Sequence, residues 1–351
     1  MMFAQIATPA VLVDLDIAQA NIDRFQAHAT RAGVAVRPHI KTHKLPMLAH
    51  AQIRAGAVGI TCQKLSEARA MISQGGIADI LITYNIVGND KLSELRALAQ
   101  KVRVRVTADS QDVVAGLSRA FADAPQPLDV LVECDTGAGR CGVLTPDAAC
   151  ALAQTIAQAP GLRFGGLMTY PPANAVHHVS DWLTQAAQRC EGAGLPVSVI
   201  STGGSPDMWA VQSLPWPTEY RAGTYVYNDR SLVARGVCDW GACALTVLAT
   251  VVSVPAPDRA VIDAGSKVLS SDLLGLTGHG HVLGRPDISI AALSEEHGIL
   301  HADTIALKVG DRVRIVPNHA CVVANLLDRV HLLRAGVPQG ETQVTARGQV
   351  W

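Results

Sequence analysis

The sequence predicts a β/α barrel followed by a smaller, all-β domain. Short apolar runs rich in β-branched residues recur before Asp229, and segments with helical spacing separate them. Beyond Asp229, strand-like runs continue without long helices between them. Regular alternation of strands and helices is typical of a parallel sheet, and eight such strands close into a barrel. An open, doubly wound sheet is the alternative for the first domain.

Eight runs are the predicted barrel strands. They lie at residues 10–15 (AVLVDL), 34–39 (VAVRPH), 58–63 (VGITCQ), 79–85 (DILITYN), 102–108 (VRVRVTA), 129–135 (DVLVECD), 164–170 (FGGLMTY) and 197–202 (VSVIST). The segments between them predict helices, as at 145–159, where Thr145 suits the capping position and Pro146 the first turn. We therefore place the barrel domain at residues 8–229.

The second domain is predicted over residues 230–351, together with residues 1–7. Its strand-like runs lie at 242–254, 259–265, 311–317 and 322–333, with loops rich in Gly and Pro between them. Several short strands separated by turn residues are typical of an all-β domain.

Composition excludes several classes of partner. The formal net charge is −1 and no long run of like charge occurs, so neither a nucleic acid nor an anionic membrane is favoured as a partner. The N-terminal stretch lacks the pattern of a signal peptide, and acids interrupt every apolar run near it. The eight cysteines are scattered, which is typical of reduced thiols in a cytoplasmic protein. We expect a cytoplasmic protein that acts on a small molecule.

The candidate site follows from the barrel, because reactive groups lie at the carboxyl ends of barrel strands. The segment VRPHIKTHK (36–44) places Lys41 just after such an end. Crowding by Arg37, His43 and Lys44, with partial burial, is expected to lower the pKa of Lys41 toward neutrality, as a Schiff-base amine requires. A solvated basic loop is the alternative interpretation.

Two glycine-containing turns are candidates for holding a phosphate. STGGSP (201–206) offers the backbone N–H groups and hydroxyls of Ser201, Thr202, Gly203 and Gly204, and a second N–H cluster lies at Gly223 and Thr224. No nucleotide-binding glycine motif is present, so the phosphate of a compact cofactor is favoured over a nucleotide. In DTGAGRCG (135–142), Arg140 is suited to bind an oxyanion or carboxylate.

His319 and Cys321 in VPNHAC (316–321) form a candidate metal pair. Two residues apart on an extended strand, they would point the same way, and nitrogen with thiolate favours zinc over magnesium or calcium. A buried cysteine near a chance histidine is the alternative. His177 and His178, beyond Tyr170, are candidate general bases or simply an exposed pair at a helix start.

Together these segments resemble the fold-type III pyridoxal-phosphate enzymes, and more narrowly the D-threonine aldolase / D-serine dehydratase family, which is related to alanine racemase. The resemblance rests on TPAVLVDLD (8–16), RPHIKTHK (37–44), CQKLSEA (62–68), DTGAGRCGV (135–143), STGGS (201–205), RAGTYVY (221–227) and PNHAC (317–321). It implies that Lys41 is the Schiff-base residue, that Arg140 reaches the cofactor's phenolic oxygen and that Arg221 faces its pyridine nitrogen. His39, Gln63 and Tyr170 are further candidates for cofactor contact.

The resemblance also implies pyridoxal 5'-phosphate, a divalent metal (zinc or manganese) and a homodimer. It predicts a lyase that cleaves D-threonine-type substrates to glycine and an aldehyde. The alternative is a D-serine or D-3-hydroxyaspartate dehydratase, and an amino-acid racemase or a non-catalytic cofactor carrier is less favoured. Histidines beyond Tyr170 resemble the aldolases, whereas the cysteine at 321 resembles the dehydratases, since the aldolases of the family commonly carry aspartate there.

Overall fold

The computed structural model describes residues 3–213 and 217–351. It contains two compact units. The barrel unit comprises residues 24–41, 46–223 and 349–351, and the β unit comprises the described residues up to 23, residues 42–45 and residues 224–348.

The strands and helices below are numbered in chain order within the described residues. The strands are β1 (Ala10–Asp14), β2 (Ala35–Val36), β3 (Ile60–Cys62), β4 (Asp79–Ile82), β5 (Arg103–Ala108), β6 (Leu128–Cys134), β7 (Leu162–Thr169), β8 (Ile200–Thr202), β9 (Glu219–Tyr220), β10 (Leu245–Ala256), β11 (Arg259–Ile262), β12 (His281–Val282), β13 (Ser289–Leu293), β14 (Gly298–His301), β15 (Arg312–Val316), β16 (Arg329–Arg334) and β17 (Val337–Gln343). The α-helices are α1 (Leu15–Arg31), α2 (Pro46–Arg54), α3 (Leu65–Ile72), α4 (Asn89–Ala99), α5 (Gln111–Phe121), α6 (Pro146–Gln158), α7 (Val176–Gly192), α8 (Arg230–Ala234), α9 (Ser266–Leu269) and α10 (Ala320–Leu326). Short 3-10 helices lie at Ile40–Thr42, Ser205–Ser213, Thr224–Val226 and Trp240–Ala242.

The barrel unit contains a sheet of eight parallel strands in the order β2-β9-β8-β7-β6-β5-β4-β3. Its two outer strands are joined, because Val58 N donates to Val36 O at 3.0 Å and Thr61 N donates to Pro38 O at 2.8 Å. The sheet therefore closes, as the sequence predicts. The predicted helix after β6 is confirmed as α6, whose first turn is capped by Thr145 Oγ1, which accepts from Ala148 N at 3.1 Å.

One barrel strand is assigned wrongly by sequence reasoning. The run at 10–15 forms β1, which pairs antiparallel with β10 and parallel with β16 in the β unit. The eighth barrel strand is instead the two-residue β9, which pairs with β8 and β2. A strand of two residues has no periodicity to detect, and a run that is apolar on both faces fits either sheet.

The β unit is built on a sheet in the order β13-β14-β11-β10-β1-β16-β17, with β15 pairing with both β10 and β12. The prediction of a strand from residue 322 is wrong at its start, because α10 occupies that segment and β16 begins only at Arg329. Short apolar runs do not distinguish a strand from a buried helical turn. Within the described residues, no helix is long and apolar enough to cross a membrane.

Candidate active site

Lys41 lies on a short turn that follows β2 in the barrel unit. After β2 the chain remains bonded to its neighbour, since His39 N donates to Ala222 O at 2.9 Å. Lys41 follows in the 3-10 helix Ile40–Thr42, where it is half-buried, and its backbone N donates to His39 Nδ1 at 3.3 Å. Because Nδ1 accepts there, Nε2 carries the proton and donates to Gln63 Oε1 at 3.1 Å. His39 and Gln63 thus form a hydrogen-bonded pair that supports the lysine turn.

Arg37 is not the free neighbouring charge that the sequence prediction assumes. Its side chain is buried, with Nη1 at 2.8 Å from Asp79 Oδ1 and Nε at 2.8 Å from Glu219 Oε2. In the β unit, Lys44 is also buried and donates to the carbonyl oxygen of Ala346 at 3.2 Å. Both cations are therefore committed to partners that are distant in sequence.

In the barrel unit, hydrogen bonds between side chain and backbone join the glycine turn at 201–206 to residues 220–223. Gly223 N donates to Ser205 Oγ at 3.3 Å, and Tyr220 Oη donates to Gly204 O at 3.0 Å. Gly203 has φ +102°, and a Cβ there would overlap the ring of Tyr220. The glycine turn therefore packs directly against the ring of Tyr220, which leaves no room for a side chain at Gly203. Main-chain amides lie nearby. Such a cradle suits a phosphate group.

Arg221 is buried beside this turn. Its Nη1 donates to Ser201 Oγ at 2.8 Å, and its Nη2 donates to the carbonyl oxygen of Thr169 at 2.8 Å. Burial lowers the pKa of Arg221 to about 10, although the nearby Glu219 and Glu133 act in the opposite direction. Arg221 therefore remains a cation at neutral pH.

Ser201 also donates to Glu219 Oε1 at 2.6 Å. A serine hydroxyl has a single proton to donate. Because the carboxylate takes that proton, the side chain of Ser201 is committed to Glu219 and Arg221. It is therefore not a hydroxyl donor for a phosphate, and Thr202, also buried, ends the strand before the glycine turn.

The loop that carries Arg140 is shaped by Asp135, whose carboxylate accepts from the backbone N–H groups of Gly137 at 2.9 Å, Gly139 at 3.1 Å and Arg140 at 3.2 Å. The exposed guanidinium of Arg140 lies over the ring of Tyr170, 4.7 Å from its centroid. A cavity of about 230 Å³ is lined by Gly137, Ala138, Tyr170, Pro171, Pro172, Ala173, Gly204, Pro206 and Asp207. The structure thus brings Tyr170 and the glycine turn to one cavity.

His177 and His178 lie in the first turn of α7, and both are exposed. Within the described ranges, neither imidazole makes a hydrogen bond to another residue. Both rings are therefore accessible to a substrate or to water, as a general base must be.

The metal pair lies in the β unit, in a local structure that differs from the prediction. His319 immediately precedes α10 and Cys321 lies in its first turn, so the argument from an extended strand is wrong. The two side chains are nevertheless hydrogen-bonded to each other. Thr42 Oγ1 lies 3.0 Å from Cys321 Sγ, and Thr224 Oγ1 lies 3.5 Å from it. Thr224 thus contacts the thiol through its side chain.

His319 is oriented by Asp272, whose Oδ2 lies 2.9 Å from Nδ1. Burial lowers the pKa of His319, but the hydrogen bonds with Cys321 and Asp272 outweigh it and raise the pKa to about 9. A carboxylate on one ring nitrogen leaves the other available to a metal, as in many histidine ligands. No group of three or more His, Cys, Asp or Glu side chains suited to a metal occurs in the described part of the chain. The imidazole and the thiol are a pair of donors of the kinds that zinc accepts.

Several supporting residues are not apparent to sequence reasoning. Glu219 and Asp272 lie in segments without a recognisable motif. Thr42 has no motif of its own, because the pattern around it is the one that identifies Lys41. Glu133 is buried on β6, where burial raises its pKa against the opposing effect of Arg140. An acid within the apolar run DVLVECD is the one signal that could have drawn attention to it.

Comparison with known proteins gives full-length matches. Residues 13–231 match the alanine racemase N-terminal domain, and residues 244–333 match a D-serine dehydratase-like domain. The chain is 35% identical to a D-threonine aldolase from Arthrobacter sp, covering 98% of this chain and 94% of the relative. It is 33% identical to a 3-hydroxy-D-aspartate aldolase from Paracoccus denitrificans, covering 99% and 93%.

Solved structures agree with these matches. D-threonine aldolase from Filomicrobium marinum superposes with a TM-score of 0.92 at 34% identity, covering 99% of this chain and 98% of that one. D-threo-3-hydroxyaspartate dehydratase from Delftia sp. superposes with a TM-score of 0.87 at 31% identity, covering 97% and 98%. A cysteine-to-alanine variant of that dehydratase is described in a metal-free form.

We expect Gly203→Ala to weaken binding of pyridoxal phosphate at least tenfold, since its methyl group would displace the glycine turn from the Tyr220 ring. Gly88→Ala is the matched control, because Gly88 has the same φ of +102° with no atom within 4 Å of the added Cβ. The measurement is a titration of each purified apoprotein with cofactor. Equal loss of affinity in both variants would show that backbone strain alone is responsible.

Proposed function

Because this chain belongs to the alanine racemase-like, fold-type III family of pyridoxal-phosphate enzymes, we propose that it cleaves D-configured β-hydroxy amino acids to glycine and an aldehyde. The observation that carries the proposal is the full-length similarity to a D-threonine aldolase at 35% identity. The relatives named above are aldolases and a dehydratase, which are all lyases.

The barrel unit supplies groups that fit the cofactor. Lys41 would provide the amine that joins the aldehyde, and the main-chain amides of the turn at Gly203 and Gly204 would hold the phosphate. Arg221 is a buried cation suited to the pyridine nitrogen, and Arg140 is suited to the phenolic oxygen. When bound, pyridoxal phosphate supplies an electron sink for the electron pair left on the substrate's Cα.

The cleavage requires one proton to leave and one to arrive. A base takes the proton of the substrate's β-hydroxyl, the Cα–Cβ bond breaks to release the aldehyde, and Cα takes up a proton to become that of glycine. We propose His177 or His178 as this base. Their exposure at the start of α7, beyond Tyr170, supports the assignment.

A divalent metal, zinc or manganese, is proposed for His319 and Cys321, where it would supply Lewis-acid polarisation of the β-hydroxyl. Two features support it: the contact between imidazole and thiol and the orienting carboxylate of Asp272. His319 carries a proton at neutral pH, which metal binding must displace. We further propose a cytoplasmic homodimer, on the family resemblance.

Dehydration is the second candidate reaction. If Lys41 removed the α-proton instead of the hydroxyl proton being lost, the hydroxyl group would leave as water. The enamine that remains would become an imine, which water hydrolyses to a 2-oxo acid and ammonia. The cysteine at 321 and the similarity to the Delftia dehydratase favour it. The two named aldolase relatives, at 35% and 33% identity, favour cleavage.

Lys41→Ala should lack the visible absorption band that the wild-type protein shows after loading with pyridoxal phosphate, because its amine is the one that condenses with the aldehyde. Lys64→Ala is the matched control, since Lys64 is also half-buried and lies two residues after the end of β3. Borohydride reduction followed by peptide mapping should find the cofactor on the peptide that contains residue 41. Modification at another lysine would refute the assignment.

D-Threonine should yield acetaldehyde and glycine in equal amounts, while L-threonine should give neither above background. Both products are quantified after incubation with the loaded, metal-supplied enzyme. Formation of 2-oxobutanoate and ammonia from D-threonine would contradict the aldolase proposal and establish the dehydratase.

Chelation should abolish D-threonine cleavage, and added Mn²⁺ or Zn²⁺ should restore it in the wild type. Cys321→Ala should remain at least about a hundredfold less active after the same addition, because the thiol ligand is lost. Cys141→Ala, at an exposed thiol, is the control and should recover like the wild type. Full recovery of Cys321→Ala would remove the thiol from the metal site.

A further inference from the structure

We propose that Ser201 and Glu219 are positioning residues that hold the guanidinium of Arg221 through a directed hydrogen-bond chain. The inference rests on the proposed function, since it concerns the cofactor that Arg221 would face. The sequence alone assigns this role to neither residue. Ser201 belongs to a predicted phosphate-binding turn, and Glu219 belongs to no motif.

The direction of the chain follows from the chemistry of its members. Arg221 Nη1 can only donate, and it lies 2.8 Å from Ser201 Oγ. Glu219 Oε1 lies 2.6 Å from the same oxygen and accepts its proton. Ser201 therefore accepts from the arginine with a lone pair and donates to the carboxylate, so Glu219 is hydrogen-bonded to Arg221 through this hydroxyl.

Glu219 is itself fixed from its other side. Its Oε2 accepts from Arg37 Nε at 2.8 Å and from Arg105 Nη2 at 3.3 Å, and all three side chains are buried. Paired cations offset the cost of burying a carboxylate. Glu219 is thus bonded directly to two arginines and to Arg221 through Ser201.

A second anchor defines the plane of the guanidinium. Arg221 Nη2 donates to the carbonyl oxygen of Thr169, at the end of β7, while Nη1 points to Ser201 on β8. Two bonds from different nitrogens fix a planar group in orientation as well as in position. Loss of the Ser201 bond would leave Arg221 free to rotate about the remaining one.

The consequence concerns the charge that Arg221 presents to the cofactor ring. Held in this place, the guanidinium would be able to donate to the ring nitrogen of a bound cofactor, which would keep that nitrogen unprotonated and weaken the electron sink. A guanidinium that rotates away would leave the nitrogen free to gain a proton. Ser201 and Glu219 would therefore govern the ring's electronics without touching the cofactor.

The test compares Ser201→Ala and Glu219→Gln with the wild type, using cofactor labelled with ¹⁵N at the ring nitrogen and read by NMR. Asp129→Asn is the matched control, because Asp129 is a buried carboxylate on β6 that pairs with Arg103 and Arg163 but not with Ser201. Both test variants should move the ring-nitrogen resonance and raise the cofactor's dissociation constant about tenfold, while Asp129→Asn should leave the resonance unchanged. The double variant should add little to the shift of either single change, because Glu219 is hydrogen-bonded to Arg221 through Ser201.

A wild-type resonance in Ser201→Ala would overturn the inference while leaving the proposed function intact. If Glu219→Gln does not fold, Ser201→Ala decides alone, because it keeps the ion pairs of Glu219 with Arg37 and Arg105. An equal shift in Asp129→Asn would mean that loss of any buried charge has this effect, and would also overturn it. A wild-type protein that binds no cofactor would refute the proposed function together with the inference. Absence of the visible absorption band in the wild type identifies this outcome, because the band is present in the others.

Discussion

A buried carboxylate links strands that lie far apart in the chain. Glu219 on β9 accepts from Arg37 beyond β2, from Arg105 on β5 and from Ser201 on β8. Burying charges costs several kcal/mol per ion unless each is paired and hydrogen-bonded. Here Asp79 supplies the second anion, bonding both Arg37 and Arg105. The barrel interior is thus held partly by a neutralised ion cluster, and the arginine of the candidate site is attached to its edge.

The two units contribute different chemistry. The barrel unit carries an amine, a cradle of main-chain amides and two arginines, which are groups that bind an anionic, aldehyde-bearing cofactor. The β unit carries an imidazole and a thiol, which are ligands for a borderline metal. The chain is similar to aldolases and to a dehydratase alike, so membership of the family does not by itself select the reaction. What differs between the two outcomes is which substrate proton is removed, and by which base.

Sequence reasoning succeeded where residues close together in the chain determine the local geometry. The loop around Arg140 follows from Asp135, whose carboxylate binds amides within five residues of it. The cap of α6 at Thr145 is equally local. The pair of His319 and Cys321 was identified for a reason that proved wrong, since the two residues begin a helix and do not extend a strand. The two side chains meet because His319 precedes α10 with an extended backbone, at φ −136° and ψ 102°.

The sequence by itself determined the alternation of strands and helices, the glycine turn that needs φ +102° at Gly203, and the family to which the chain belongs. Tertiary structure alone decided that β1 joins the β unit, that Arg37 is neutralised, and that Ser201 supports Arg221. The physical reason is the sequence separation over which each interaction acts. Periodicity and caps act over a few residues, whereas Arg37 and Glu219 are 182 positions apart and meet only when the barrel closes.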